Sequence, residues 1–471
     1  MSQLPKGWYY CSPSELASDP KNDIVDGPFG SNLKASEYTD EGTPIVRIQN
    51  VKRMHFVDKN IKYMTNEKAE FLKRHSFKSG DLLITKLGEP LGLTCIAPSA
   101  LESGIIVADI VRFRPHESVN RKCLAYLLNS EQVIGQIKEH TKGSTRARIN
   151  LSVVRNLSIA LPPEAEQTRI VEKLDEVLAQ VDTIKARLDG IPAILKRFRQ
   201  SVLAAAVSGK LTEEWRGNAE YSDSKNQLVP STWEVRAAKD ICVKVQSGST
   251  PRNDPFNQNG TIPFLKVYNI VNQKIDFDYK PQFITSDTHS ETLKRSVAYP
   301  GDVLMNIVGP PLGKVAILTE QYPEWNLNQA ITLFRANEEI LLNKYLYFVL
   351  CEGELVRAVM PETKGSVGQV NISLSQCRDS LIPLPPLEEQ KEIVRLVDQY
   401  FAFADTIEAQ VKKAQARVDK LTQSILAKAF RGELVPQDPS DEPADKLLER
   451  IAAARKEAEA LAKAAKKATN L

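Results

Sequence analysis

At 471 residues the length prior allows two to four domains, and a hydrophobic content of 42% is enough to build packed cores, which excludes a disordered chain. The net charge of +3 names no partner by itself, so local basic clusters must carry any argument about binding. The cysteines Cys11, Cys95, Cys123, Cys242, Cys351 and Cys377 never form a CxxC pair, which argues against a disulfide framework or a zinc site. The first residues show no basic region followed by an apolar stretch, and no run approaches about 18 apolar residues. A soluble, cytoplasmic protein is therefore expected.

Taken in chain order, the sequence repeats itself. LPKGW at 4–8 returns as VPSTW at 229–233, and TPIVRIQNV at 43–51 returns as IPFLKVYNI at 262–270. SGDLLITKLGEPLG at 79–92 matches PGDVLMNIVGPPLG at 300–313, Gly80-Asp81 falling on Gly301-Asp302. KGSTRARINLS at 142–152 matches KGSVGQVNIS at 364–373 with a small length difference, and IALPPEAEQTRI at 159–170 matches IPLPPLEEQKEI at 382–393 without a gap. Short runs rich in β-branched residues at 45–51, 81–85, 105–113, 303–308 and 331–334, bounded by Gly, Pro, Asn or Asp, predict strands. The spacing at 122–138 and 343–360 predicts helices. Each globular half reads as α+β.

After each Leu-Pro-Pro the pattern changes to a heptad. Ile170, Leu174, Val177, Val181, Ile184, Leu188, Ile191, Leu195, Phe198 and Val202 follow four-three spacing, and Ile393, Val397, Tyr400, Ala404, Ile407, Val411, Ala414, Val418, Leu421 and Ile425 repeat it in the same register. The simplest way to cover both seams is antiparallel packing of the two helices on each other within the chain. Pro192 is expected to kink or interrupt the first. Gly209 and Gly432 stand where C-terminal caps belong. A helix of about 40 residues gives a rod of roughly 60 Å. Glu164, Glu166, Glu388 and Glu389 sit at the helix starts, where acidic residues suit the helix dipole better than a nuclease role. Gly309 to Lys314 is one residue short of a phosphate loop and carries two prolines. No methyltransferase or nucleotide motif is found, and the histidines form no pair at metal-ligand spacing.

These features together resemble the specificity subunit of type I restriction-modification systems. The residues that carry the resemblance are the two openings, GPFGSNLK at 27–34, the paired Gly-Asp, the KGST and KGSV segments, the two LPP-x-x-EQ entries, and heptad helices closed by SGKL and RGEL. It implies two pseudo-symmetric target recognition domains separated by two long helices that form an intramolecular antiparallel coiled coil. The corresponding segments are 1–160 for the first domain, 161–212 for the central spacer helix, 213–383 for the second domain, 384–435 for the C-terminal spacer helix and 436–471 for a helical tail. The resemblance also implies a non-catalytic subunit that binds a bipartite, asymmetric DNA target. Two methyltransferase subunits and ATP-driven restriction subunits would carry S-adenosylmethionine, ATP and Mg2+, with no cofactor on this chain. The competing reading is a coiled-coil adaptor that binds proteins without DNA specificity. The tail, Ala-, Lys- and Glu-rich with a thin apolar face of Leu447, Leu448, Ile451 and Leu461, reads as a solvated helix or as a segment ordered on a partner, the resemblance favouring a methyltransferase subunit.

Reading DNA requires Lys and Arg for phosphates and Arg, Lys, Asn, Gln, Ser or Thr for base edges. Three regions offer them, the first two with solvated strand, loop or turn polarity as the alternative, and the third reading equally well as turns. The first is Arg47, Gln49, Asn50, Lys52 and Arg53, matched by Lys266, Tyr268, Asn269 and Asn272. The second is Lys142, Ser144, Thr145, Arg146, Arg148 and Asn150, matched by Lys364, Ser366, Gln369 and Asn371. Pairing Lys142 with Lys364, Ser144 with Ser366 and Asn150 with Asn371 suits a shared framework or phosphate role, while Arg146 and Arg148 against Gly368 and Gln369 suit different sequences. The third is 27–34, including Lys34, together with Lys86, against Ser249, Thr250, Arg252, Asn306 and Lys314. Divergent loops on a common frame predict an asymmetric target, with the helices setting the spacing between its halves.

Overall fold

The computed structural model describes residues 4–29, 32–141, 147–217, 220–251, 256, 260–359 and 371–469. They form two compact units, Met1–Asp189 with Lys413–Leu471, and Gly190–Lys412.

In the first unit a strand that follows the opening tryptophan, Tyr9–Cys11, pairs antiparallel with Ile159–Leu161, which leads into the Leu-Pro-Pro entry. Between them lies an antiparallel sheet in the spatial order Ile24–Asp26, Ile110–Phe113, Leu82–Thr85, Thr94–Ile96. A second sheet runs Lys62–Met64, Thr43–Val46, Ser103–Ile106, Ser76–Lys78, its two central strands parallel. The second unit repeats the plan. Glu234–Ala237 pairs with Leu381–Leu384, and Cys242–Ser247, Ile331–Ala336, Val303–Asn306, Val315–Ile317 stand in the same order as the first antiparallel sheet. Phe283–Ile284, Ile262–Leu265 and Asn326–Leu327 form the other sheet, the last pair again parallel.

Several predicted elements are shorter than the hydrophobic runs imply. The strand expected over 45–51 ends at Val46, because the side chain of Asn50 caps a tight turn at Ile48–Asn50. The run 105–113 divides into Ser103–Ile106 and Ile110–Phe113. The helix expected over 122–138 breaks into Arg121–Leu128 and Glu131–Glu139, where the buried Asn129 turns its amide to the backbone of Thr94. That over 343–360 breaks at Gly353, whose φ of +93° is left-handed.

The repeated Gly-Asp proves to be an ion-pair position. Asp81 receives both Nε and a terminal nitrogen of Arg114, at 2.9 and 2.6 Å, and Asp302 receives the same pair from Arg335, at 2.8 and 2.7 Å. Each carboxylate also accepts a backbone N–H three residues upstream, from Lys78 or Tyr299, so it ties a turn to a neighbouring strand.

The opening motifs and the LPP-x-x-EQ motifs are halves of one interaction. In the first unit Nε1 of Trp8 donates to Glu166 at 2.8 Å, and the other carboxylate oxygen accepts from Gln437 at 2.7 Å. In the second unit Nε1 of Trp233 donates to Glu389 at 2.9 Å, with Thr212 and Arg216 on the same carboxylate at 2.7 and 2.5 Å. Burial pushes the Glu166 carboxyl above its usual range, while the indole and Gln437 bonds pull it down. Glu166 and Glu389 are therefore buried anchors rather than the solvated dipole charges that their place in the sequence suggests; the exposed Glu164 and Glu388 keep that role. The next residues, Gln167 and Gln390, donate to the carbonyls of Pro162 and Pro385 and accept the N–H of Asn120 and Leu342.

The long helices span Glu164–Val207 and Leu387–Ala429. In the first unit Lys185 meets Asp419 at 2.7 Å, and four residues on, Asp189 meets Gln415, four residues back, also at 2.7 Å, which fixes the pair as antiparallel. In the second unit Arg199 binds Asp405 and Glu408, and Phe198 packs edge-on against Tyr400. Ile170, Leu174, Val181 and Ile425 are buried in the first unit, and Leu195, Val202, Val397, Ala404 and Val411 in the second. The seam is not closed throughout, for Ile184, Tyr400 and Leu421 stay exposed. Pro192 does not interrupt the first helix. Its ring lies on the solvent side, where the carbonyl it displaces can tilt toward water.

Both helices end at left-handed glycines, Gly209 with φ +77° and Gly432 with φ +75°. A Cβ on Gly432 would stand 2.5 Å from Pro5, and one on Gly209 would stand 2.3 Å from Pro230. Each opening motif thus grips the start of one long helix through its tryptophan and the end of the other through its proline.

The tail is neither wholly solvated nor left entirely to a partner. Its helix, Ala444–Thr469, buries Ala444, Leu447 and Ile451 in the core of the first unit. Arg455 donates to the carbonyls of Ser14 and Ala17, and Arg169 pairs with Asp441 at 2.5 Å. Only beyond this docked stretch is the apolar face open, with Leu461 exposed.

If the buried carboxylate anchors the first unit, Glu166→Ala strands an indole and an amide and lowers stability by about 2–3 kcal/mol. Glu164→Ala removes only a surface pair and costs less than about 0.5 kcal/mol. Urea unfolding followed by tryptophan fluorescence separates the two, and equal effects would contradict the assignment.

Candidate nucleic-acid interface

Strand direction gathers the three candidate regions. In the first unit Ile24–Asp26 and Leu82–Thr85 are both antiparallel to Ile110–Phe113 and so finish at the same end of their sheet, where Thr94–Ile96 begins. The loop 27–34 leaves from that end. So does the turn after Thr85, which is closed by Thr85 to Leu93 and Gly92 backbone bonds and by the Thr85 hydroxyl on the N–H of Leu93. Arg148 bridges to Leu87 and Ile149 donates to the carbonyl of Lys86, which brings in the second region. The N–H of Met54 donates to Thr94, which brings in the first.

The second unit does the same. Its strands Cys242–Ser247 and Val303–Asn306 end together. Asn306 replaces Thr85, accepting the N–H of Lys314 at 2.6 Å and donating to the carbonyl of Pro311 at 2.9 Å. Gln273 accepts the N–H of Val315 at 2.6 Å, and Ile372 donates to Ile307.

Within this shared frame several predicted contact residues are occupied. Asn50 is fully buried; it accepts the N–H of Arg47 at 3.0 Å and donates to the carbonyls of Val57 and Lys59. Asn269 repeats this with Lys266, Asp276 and Tyr279. Both asparagines, and Asn306 with them, hold turns in shape and have no amide left for a base. Lys86 is 2% exposed and sits on Asp26 at 2.5 Å, so it cannot reach a phosphate as placed. Arg47 donates to the carbonyl of Asn60, Tyr268 to that of Lys280 at 3.1 Å, and Thr250 to Gln329. Burial holds the Arg53 guanidinium below its ordinary range, opposed by Glu131.

Other candidates face solvent. Lys34, Gln49 and Lys52 are exposed, and Lys266 and Lys314 are half-buried. Arg148 is exposed and pairs with Asp109 at 3.1 Å. Asn150 is exposed but spends its side-chain oxygen capping Leu151–Arg155. Its partner in the second unit is Ser373, which caps Leu374–Asp379, and not Asn371. Asn371, bridged to Val308, stands where Arg148 does, bridged to Leu87. The pairing of Asn150 with Asn371 fails because the intervening loop differs in length, and letter matching put the gap on the wrong side of the cap. Lys142, Ser144, Thr145, Arg146, Arg252, Lys364, Ser366 and Gln369 lie outside the described residues.

One surface residue escaped the sequence reading. Phe29 is 54% exposed at the same sheet end, with the Lys86 ammonium 4.7 Å and the Arg148 guanidinium 5.8 Å from its ring centre. The signal was present in GPFGSNLK, but selecting polar groups for DNA passes over an aromatic ring. Among the described residues no cluster of three or more His, Cys, Asp or Glu is placed to hold a metal, and no helix is long and apolar enough to cross a membrane.

Comparison with known proteins agrees with this duplicated architecture. The family model for the type I restriction modification DNA specificity domain matches residues 23–193 and 230–415. The EcoBI specificity subunit of Escherichia coli is 31% identical over 90% of this chain and 89% of its own length. The EcoKI specificity subunit of Escherichia coli strain K12 is 31% identical over 96% of each chain. Among solved structures, an HsdS subunit from Thermoanaerobacter tengcongensis covers 92% of this chain and 98% of its own at 20% identity, with a TM-score of 0.52. A chain from a structure of type I R-M complex assembly covers 92% of this chain and 100% of its own at 20% identity, with a TM-score of 0.64. With the family model matched in both units and relatives 31% identical along nearly the whole length, this chain belongs to the type I restriction-modification DNA specificity family.

Proposed function

We propose that the chain is the non-catalytic specificity subunit of a type I restriction-modification complex, in which each unit reads one half of a bipartite, asymmetric DNA target. The observation that carries this is the repeated sheet end. Two modules share strand order and turn-holding residues, yet present different side chains at matching exposed positions, such as Arg148 against Asn371 and Lys52 against Val271. A palindrome would call for equal groups at those positions. The chain works with methyltransferase and restriction subunits. We take the methyltransferase subunits to be two, one for each recognition unit, carrying S-adenosylmethionine, with ATP and Mg2+ on the restriction subunits and the assembly in the cytoplasm. The alternative, a protein-only adaptor, offers no reason for matched loops to diverge on a preserved frame.

Mapping modified adenines across a genome with and without this chain tests the reading directly. Two unlike half-sites at a fixed separation are expected, and a palindrome or no chain-dependent modification would refute it. Adding one turn, about 5.4 Å, to the central helix should move the preferred spacer by one or two base pairs; an unchanged spacer would remove the helices as a ruler. Side-chain placement also separates frame from contact. Lys52→Ala should weaken binding to all sequences alike and reduce the salt slope by about 1. Asn50→Ala should instead lower stability by about 1–3 kcal/mol without changing the modified sequence. Salt titrations of binding and a melting curve check the pair, and a changed target in Asn50→Ala would reverse the assignment.

A further inference from the structure

We propose that Phe29 is a base-stacking residue of the first unit, its ring laid against a base in the half-site that this unit reads. The inference rests on the DNA-reading role above and names a contact within it.

Phe29 is the aromatic side chain held at the sheet end by cations. Lys86 is buried, and its ammonium is shared between the Asp26 carboxylate at 2.5 Å and the ring at 4.7 Å. Arg148, tied to Asp109, approaches the same ring from the neighbouring loop. A cation near a ring face orients it. The apolar ring, more than half in solvent, thus stands against two cations, one of them a guanidinium suited to a phosphate. The base of its loop is fixed as well, because a Cβ on Gly27 would lie 2.2 Å from the carbonyl carbon of Val107.

The internal repeat supplies a second, independent observation. Gly248 occupies the equivalent pinched position, where a Cβ would lie 2.2 Å from the carbonyl oxygens of Leu327 and Asn328. From that anchor, Asp26 corresponds to Ser247, Phe29 to Thr250 and Lys86 to Ile307. All three differ together, while the turn, the glycine and the backbone bonds around them are kept. Ser247 bonds Thr332, Thr250 bonds Gln329, and Ile307 is buried in the second unit's core. At these matched positions the frame therefore does not need the aromatic and cation set. The second unit's own loop ring, Phe256, lies 4.5 Å from the Lys266 ammonium but packs against Phe264 instead of standing in solvent. Among the described residues of these loops the exposed ring thus belongs to the first unit, as expected of a group that reads one half-site. Aromatic rings stack on any base and can also wedge between steps, whereas a Thr–Gln pair offers hydrogen bonds instead.

The test uses the full chain assembled with its methyltransferase partner and a duplex carrying the mapped target. Competition binding at fixed salt should show Phe29→Ala weaker by about tenfold or more, Phe29→Leu nearly as weak, and Phe29→Trp within about threefold of the natural chain. An abasic substitution scanned through each half-site should reveal one position where the natural chain loses affinity and Phe29→Ala loses no more, within the first unit's half-site. Unchanged binding by Phe29→Ala, full recovery by Phe29→Leu, or losses that add at every abasic position would overturn stacking in favour of a packing role. No preference of the natural complex for the mapped duplex over a scrambled one would overturn the DNA-reading role, and the role of Phe29 with it.

Discussion

Each unit is organised around a buried carboxylate that accepts an indole N–H. The tryptophan stands at the start of a module and the glutamate at the start of a long helix, so their bond joins the first and last parts of a domain built between them. Next to it, a proline from the same opening motif fills the space that a Cβ would need at the capping glycine of the other long helix. An interaction that holds one helix by its first turn and its neighbour by its last turn leaves only an antiparallel arrangement. The seam residues then have a partner already in register. Burying a charged group is costly unless its oxygens are hydrogen-bonded, and here Gln437 in one unit, and Thr212 with Arg216 in the other, engage the carboxylate oxygen that the indole leaves.

Much of this was legible in the sequence because duplication acts as its own control. LPKGW and VPSTW, LPPEAEQ and LPPLEEQ, and the two heptads announced the modules and the paired helices without reference to any contact. What the letters did not carry was burial. Asn50, Asn269 and Asn306 are the residue type that reads adenine, yet each faces inward to three backbone groups. Lys86 looked like a phosphate ligand and lies beneath a phenyl ring. Glu166 looked like a helix-dipole charge and is the anchor of the fold. The docking of the tail was hidden for the same reason, since Leu447 and Ile451 belong to a thin stripe in isolation but suffice, with Ala444, where a core is left open to receive them.

The same distinction organises the surface proposed to read DNA. Short polar side chains that satisfy the backbone make the sheet end rigid, and the side chains mounted on it are then free to differ. Thr85 and Asn306 show how far this goes, for an amide and a hydroxyl close the same turn by accepting the same N–H. Positions whose side chains close the same turns belong to the frame even where the residue differs, and exposed positions that differ are where sequence choice has room to act.

The first unit takes its last wall from the far end of the chain. Gln437, Asp441 and the docked stretch of the tail complete a core whose opening residues were made at the start, whereas the second unit is a continuous stretch, Gly190–Lys412. On the ribosome, where domains fold as units while the chain emerges, the later module can finish first. The earlier one keeps open the core face that Ala444, Leu447 and Ile451 cover, and lacks the Gln437 bond to Glu166, until those residues have been made. A premature stop between residues 413 and 451 would leave the second module whole and the first one open, a defect in the earlier module caused by a lesion downstream of the later one.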